Sequence, residues 1–370
     1  MSPHSHSPLR PLAAIVMAAG DAGGMRSNRP KPLHRLCGRT LVGHAIDALS
    51  GVGADRAVVV VGQGGDRVAK TLQEEPSIDL RIEFVTQSMP RGTADAVAVA
   101  LTGLDDDVDD ADGESDVLVI PGDRPLFRAS TLAELVAVHR ETGAAATVLT
   151  MHRADPTGYG RILRGRGGRI EGIVEDEAAD EDTLAITEVN TSVYCFRSGL
   201  LAPALRRLIP ANDAMTNLTD VIAVLHGAGY QVRSHELVDA NEASGVEDRL
   251  HLAEAEAELR RRTNSRLMAA GVTMLDPDRT YVDATVSIGT DVTLFPGTLL
   301  QGRSVIGAGA EIGPDTRLVD CIVGEGAVVE QTVGRSAVIG AGAVVGPFAS
   351  LEPGSRVADG VRTGPFFRAD

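Results

Sequence analysis

The 370-residue sequence contains no tryptophan, and aromatic residues make up only 3% of it. Its core must therefore be built from Val, Leu, Ile and Ala. Cysteine is scarce as well. Cys37, Cys195 and Cys321 lie far apart, match no zinc-site spacing and sit among apolar neighbours, which points to buried free thiols rather than ligands or reactive groups. An odd number of cysteines suits a reducing compartment. No stretch approaches the roughly 20 apolar residues that a membrane helix needs. The polar start, Met1 to Pro11, lacks the apolar stretch of a signal peptide. The expected location is the cytoplasm, with no membrane partner. Positive charge is also in short supply: 35 Lys and Arg stand against 51 Asp and Glu, a formal net charge of -16. Such a chain repels nucleic acid and anionic lipid on average, so nucleic acid is not expected as a partner. A negatively charged substrate would have to be met by a few local cations or a metal ion.

Glycine, by contrast, is plentiful, at 41 residues, which suggests tight turns and close backbone approaches. The length allows two or three domains. Short apolar runs alternate with helical stretches in the first part: Leu12 to Met17, Ala57 to Val61, Arg81 to Val85 and Val117 to Ile120 read as strands, and Thr40 to Leu49, Thr93 to Leu101 and Ser130 to Glu141 as helices. That alternation predicts a parallel sheet covered on both faces. Ala146 to Met151, Gly168 to Val174 and Val189 to Phe196 read as sheet extensions and a lid over the substrate. The acidic run Asp105 to Asp116 reads as a solvated loop. Glu247 to Arg262, rich in Ala, Glu, Leu and Arg, predicts a rigid helical arm.

From Ile288 the sequence becomes periodic. Ile288, Leu294, Leu300, Ile306, Ile312 and Leu318 recur at every sixth position, and a second register carries Val333, Ile339, Val345, Leu351 and Val357. A six-residue period with one inward aliphatic predicts a β-helix with three short faces per turn. The slip between Leu318 and Val333 predicts a loop or bulge there. The expected boundaries are a disordered N-terminus over 1–11, a catalytic domain over 12–245, a helical arm over 246–272 and the β-helix over 273–370.

Two segments carry chemistry. The first βα loop, Ala18-Ala19-Gly20 through Pro30-Lys31-Pro32-Leu33-His34, is a Gly-rich turn after a buried strand, where backbone N–H groups approach phosphate oxygens. It is neither a Walker loop nor a dinucleotide fingerprint. Lys31 stands within reach of a phosphate chain held there, and Arg26 and Arg29 are further candidate cations. Asp123 follows the fourth strand, where an acid points into the ligand crevice, and its oxygens suit Mg²⁺.

Further segments follow in order: Gln87 with Gly92-Thr93-Ala94-Asp95-Ala96, Gly122-Asp123, Pro156 to Arg161, Gly172 to Glu175, Glu188 to Thr191, Leu218-Thr219-Asp220, and Gly245 to Arg249. Together with the first loop they make the chain resemble the bacterial bifunctional N-acetylglucosamine-1-phosphate uridylyltransferase/glucosamine-1-phosphate acetyltransferase family, from about Leu12 to the end. The resemblance implies an α/β fold: a Rossmann-like nucleotidyltransferase with a mixed, mostly parallel sheet, then a helical arm and a short left-handed parallel β-helix of hexapeptide repeats. It implies that Ala18, Ala19, Gly20, Gln87, Gly92 and Thr93 read the uracil, and that Gly160, Glu175 and Asn190 hold the amino sugar. It implies that Asp123 and Glu247 bind Mg²⁺ and that Lys31 neutralises phosphate charge; Arg26, two residues beyond Gly24, is the candidate to reach the phosphates in place of a loop arginine. The implied partners are UTP and an amino-sugar 1-phosphate, with a homotrimer built through the β-helix. The implied reaction is uridylyl transfer that forms UDP-N-acetylglucosamine and pyrophosphate, in cell-wall precursor supply.

The resemblance is incomplete. The spacing from Met25 to Lys31 sets Gly24 where that family has an arginine facing the triphosphate, and Glu247 stands where it has Asn. Glu352 replaces an arginine, and the later His, Tyr, Asn and Lys of the acetyltransferase site find no counterpart, so the β-helix reads as truncated and no acetyl transfer is expected. Three readings therefore stand side by side: an active uridylyltransferase, an impaired paralogue that binds nucleotide-sugar or associates with a full-length enzyme, and a related transferase with changed nucleotide or sugar choice.

Overall fold

The computed structural model describes residues 10–20, 23–75, 80–104, 115–208 and 215–369. The expected disordered start up to residue 9, Asp21 and Ala22 of the first loop, and residues 105–114 of the acidic run lie outside the described residues. The chain divides into two compact units. One comprises the described residues up to His34 together with Thr40–Arg249; the other comprises Arg35–Arg39 and the chain from Leu250 onward.

The first unit is built on a nine-stranded sheet. Its strands are β1 (Leu12–Ala18), β2 (Arg56–Val61), β3 (Arg81–Thr86), β4 (Asp116–Pro121), β5 (Ala146–His152), β6 (Arg161–Arg164), β7 (Ile170–Val174), β8 (Glu188–Arg197) and β9 (Val232–Glu236). The order is β9-β5-β8-β4-β1-β2-β3, with β6 pairing β8 and β7. β1 lies parallel between β2 and β4, so that Ile15 faces both Val58 and Val119. β8 runs antiparallel to β4 and β5, which makes the sheet mixed. Alternate residues of β1 feed opposite cores: Ala14 and Val16 pack with α1 (Leu41–Ser50) and α4 (Ala129–Thr142), while Ala13 and Ile15 pack with α3 (Thr93–Thr102), α5 (Ser198–Leu208) and α6 (Asp220–Gly227). Between β2 and β3 the helix α2 (Gly65–Glu74) adds Val68 and Leu72 to the first of these cores. Two buried faces explain why the strands read as continuous apolar runs rather than alternating ones. Helix α1 begins where Thr40 Oγ1 accepts from the Gly43 amide at 3.0 Å, satisfying one of the free N–H groups of the first turn.

Asp116 departs from the expectation of a solvated acid. It opens β4 fully buried and pairs with Arg140 Nε at 2.8 Å and His139 Nε2 at 3.5 Å. Burial pushes its carboxyl up, but His139 and Arg140 outweigh that and hold its pKa below the ordinary carboxylate value.

The second unit takes in helix α7 (Arg249–Ala269) from Leu250 onward, and Glu258 paired with Arg261 and Arg262 at 2.8 and 2.6 Å stabilises it. Cys37 joins this unit through its amide, which donates to Glu256 Oε2 at 2.7 Å. All three cysteines are free and buried. The chain then winds through three parallel sheets of two- and three-residue strands, the β-helix that the period predicts. Leu294, Leu300, Ile306, Ile312 and Leu318 all point inward. The slip after Leu318 is not a loop or bulge. The inward residues continue as Val323, Val329, Gly334 and Ile339, so three of the four steps shorten from six residues to five. Val333, expected inside, is 49% exposed, and Gly334 pairs with Leu318 in its place. A Cβ on Gly334 would lie 3.1 Å from Leu318 Cδ2 and 3.3 Å from Cys321 Sγ. The small residue makes room for two buried neighbours. Among the described residues no helix is long and apolar enough to cross a membrane.

Candidate functional site

The C-terminal end of β1 positions the site. Met17 and Ala18 are successive strand residues and point to opposite faces of the sheet. Each face carries a recess. The first, of about 510 Å³, is lined by Ala18, Ala19, Gly20, Lys31 and Gln87 among others. The second, of about 350 Å³, is lined by Met17, Thr93, Glu175, Asn190 and Thr219 among others.

Lys31 is the most constrained charge at the first recess. Pro30 leads into a short 3-10 turn, Lys31–Leu33, which leaves Lys31 only 6% exposed. Its ammonium donates to Asp123 Oδ2 at 2.7 Å and to Glu247 Oε2 at 2.9 Å. Burial disfavours the charged lysine, but the two carboxylates outweigh it and raise its pKa above the ordinary value. The carboxylates are themselves tied together through the backbone: the Val246 amide donates to the Asp123 carbonyl at 3.0 Å, and Arg124 Nη1 donates to the Ala243 carbonyl at 2.6 Å. Two acids more than a hundred residues apart are thereby brought to one ammonium.

Gln87 is buried, and its Nε2 donates to the Gly92 carbonyl at 3.1 Å and to Asp95 Oδ2 at 2.7 Å. Gly92 has φ of 100° and precedes α3; that backbone region favours glycine. Thr93, expected beside the uracil-reading residues, lines the second recess instead, and its Oγ1 accepts from the Leu218 amide at 2.8 Å. In that recess Glu175 Oε1 accepts from Thr219 Oγ1 at 2.8 Å, and Asn190 Nδ2 donates to the Tyr194 hydroxyl at 2.7 Å. Gly160 adjoins both: its carbonyl accepts from the Asn190 amide at 2.8 Å, and a Cβ there would come within 3.2 Å of Glu175 Oε2. The structure thus brings Glu175, Asn190 and Gly160 together. Arg26 is exposed with φ of 46° and lines neither recess. Thr219 and Tyr194, which fix the orientation of Glu175 and Asn190, were not among the expected site residues. Thr219 lies in the Leu218-Thr219-Asp220 segment, which was the signal available for it.

Among the described residues no group of three or more His, Cys, Asp or Glu side chains gathers around a common point as a metal cage. Asp123 and Glu247 supply two oxygen-donor side chains. Mg²⁺ is commonly held by one or two carboxylates, with water and substrate phosphate completing its shell, and the pair fits that requirement.

The nucleotidyl transferase family matches residues 13–240. Curated relatives are similar over nearly the whole chain. The bifunctional protein GlmU of Mycolicibacterium vanbaalenii is 44% identical over 97% of this chain and 72% of its own length. That of Streptomyces avermitilis is 42% identical over 97% of this chain and 73% of its own. That of Kineococcus radiotolerans is 45% identical, with 97% and 72% covered.

Proposed function

This chain belongs to the nucleotidyl transferase family and, within it, to the group of the bifunctional GlmU proteins, and from that premise we infer that it makes UDP-N-acetylglucosamine and pyrophosphate from UTP and N-acetylglucosamine 1-phosphate. The observation that carries this reading is the pair of recesses on the two sides of Met17-Ala18. One can take a nucleotide and the other a sugar phosphate, with their reacting ends meeting at the strand terminus, where ligands bind in open α/β sheets.

Ala18, Ala19, Gly20 and Gln87 would hold the base and ribose against the first recess. Glu175, Asn190 and Gly160 would orient the sugar. A sugar-phosphate oxygen then attacks the α-phosphorus of UTP; that P–O bond forms as the bond to pyrophosphate breaks. Little covalent work is asked of the protein, and positioning with charge stabilisation supplies the catalysis. Lys31 places a permanent positive charge beside the phosphates. Asp123 and Glu247 would hold Mg²⁺, which when bound offsets the negative charge of the transferring group. Lys31 then exchanges its carboxylate partners for phosphate oxygens, and its depth in the fold limits the side-chain entropy lost in doing so.

Outward-facing Val305 and Ile322, on adjacent rungs of the β-helix, are 45% and 52% exposed. The homotrimer that the resemblance implies would be built through that unit and could cover them, and sedimentation equilibrium would register it as three times the chain mass. The activity is tested by pyrophosphate release with UTP, N-acetylglucosamine 1-phosphate and Mg²⁺. Turnover above background supports the reading. UTP binding without turnover favours the impaired paralogue, and turnover only with another nucleotide or sugar phosphate favours altered specificity.

A further inference from the structure

We propose that a third recess, lined by Ser27, Asn28, Arg29, His34, Arg67 and Arg249, binds the diphosphate end of the nucleotide and holds it as it leaves. The proposal rests on the transferase reading for its ligand, but its evidence is separate. The recess, of about 390 Å³, has three arginines in its lining and no carboxylate. In a chain with a net charge of -16, that is a concentrated and uncompensated patch. Among the described residues none of the three makes an ion pair. Arg67 Nη1 reaches only the Asn28 carbonyl, at 3.5 Å, and Arg249 Nε donates to the Met25 carbonyl at 3.2 Å. Arg29 has no side-chain partner among the described residues.

His34 lines the recess beside them, is 3% exposed and brings no negative charge. Guanidinium groups offer planar forks of N–H donors that match phosphate oxygens. Three of them suit the higher charge of a diphosphate better than a monophosphate. Position completes the case. Ser27, Asn28 and Arg29 line both this recess and the first one, so the loop is a wall common to the two. A nucleotide seated in the first recess can pass its terminal phosphates across that wall. Gly24 offers no cation at the start of the loop; Arg29, Arg67 and Arg249 provide them at its far side.

Isothermal titration calorimetry of the full chain with inorganic pyrophosphate, inorganic phosphate and UDP-N-acetylglucosamine tests this. Arg67 is the clean target, because its single contact is weak. Arg67→Ala should weaken pyrophosphate binding roughly tenfold or more, while the nucleotide sugar is held within about twofold. Arg29→Ala is the second variant and should act in the same direction, and a melting temperature equal to that of the parent excludes unfolding as the cause. Two results overturn the proposal: both variants bind pyrophosphate like the parent, or inorganic phosphate binds the parent as tightly as pyrophosphate. If the variants lose pyrophosphate but the parent forms no nucleotide sugar in the turnover assay, the anion site stands and the transferase reading falls.

Discussion

Gly24 gives the sharpest test of how this site is assembled. On the sequence alone, Gly24→Arg looks like a repair, since the resembling family has an arginine at that place. The structure argues the opposite. A Cβ at Gly24 would overlap the Glu247 backbone carbonyl oxygen, with the Glu247 carbonyl carbon 3.3 Å away and Asp248 Cβ 3.8 Å away. The obstruction is backbone, which cannot swing aside as a side-chain tip can. Overpacking of this kind costs about 1–3 kcal/mol. In a unit of this size, each kcal/mol lowers the melting temperature by about 2–4 °C, so Gly24→Ala should melt roughly 2–12 °C lower. The same shift moves Glu247, one of the two carboxylates on the Lys31 ammonium, so kcat/KM should fall as well. Gly24→Arg should fare no better than Gly24→Ala. Differential scanning calorimetry and pyrophosphate release on the two variants decide the matter. A Gly24→Arg chain that melts like the parent and turns over substantially faster would refute the steric reasoning and restore the view of Gly24 as a lost cation.

Lys31→Met removes the buried ammonium between Asp123 and Glu247 and should lower kcat by roughly 10²–10³, as loss of one preorganised charge does elsewhere; an unchanged kcat contradicts its assigned role. Asp116→Asn breaks the pair with Arg140. The loss should be about 2–3 kcal/mol, below the range for fully buried pairs because Arg140 is 25% exposed. The Asp116 carboxyl is depressed in the fold, so its contribution is present above its ordinary pKa of 3.8 and is lost as pH falls through the lower folded value. Denaturant melts of parent and variant should therefore converge in acid and differ at neutral pH, and a constant difference contradicts the pairing. Gly334→Leu should destabilise the β-helix by about 1–3 kcal/mol through Leu318 and Cys321; thermal melts of the full chain would reveal an earlier transition, and an unchanged trace would mean the coil has room there.

The sheet was legible because both of its faces are buried. Strands such as Ala57 to Val61 appear as unbroken apolar runs, and few other structures need them. The β-helix was legible because one aliphatic per rung must point inward. Its register broke down where packing overrode the period. Gly334 has no side chain to mark the inward position, and the neighbouring Val333, which carries the aliphatic, points outward. Asp116 was misplaced for a similar reason: it ends a run of acids in the sequence, and only the tertiary fold supplies Arg140 and His139 as partners. At the site, Lys31, Asp123 and Glu247 were each named as phosphate or metal groups, yet their meeting at one ammonium depends on backbone ties between residues 123 and 246 that no local pattern encodes. Arg67 lies in no motif and Arg249 only ends the Gly245 to Arg249 segment, since the recess collects side chains from a loop and from the starts of two helices far apart in sequence.

Uridylyl transfer is tested most directly by following the full chain with UTP, N-acetylglucosamine 1-phosphate and Mg²⁺ by ³¹P nuclear magnetic resonance. Joint growth of the UDP-N-acetylglucosamine and pyrophosphate signals in equal amounts is the predicted result. A spectrum that stays unchanged while UTP binding is demonstrated on the same sample would contradict it.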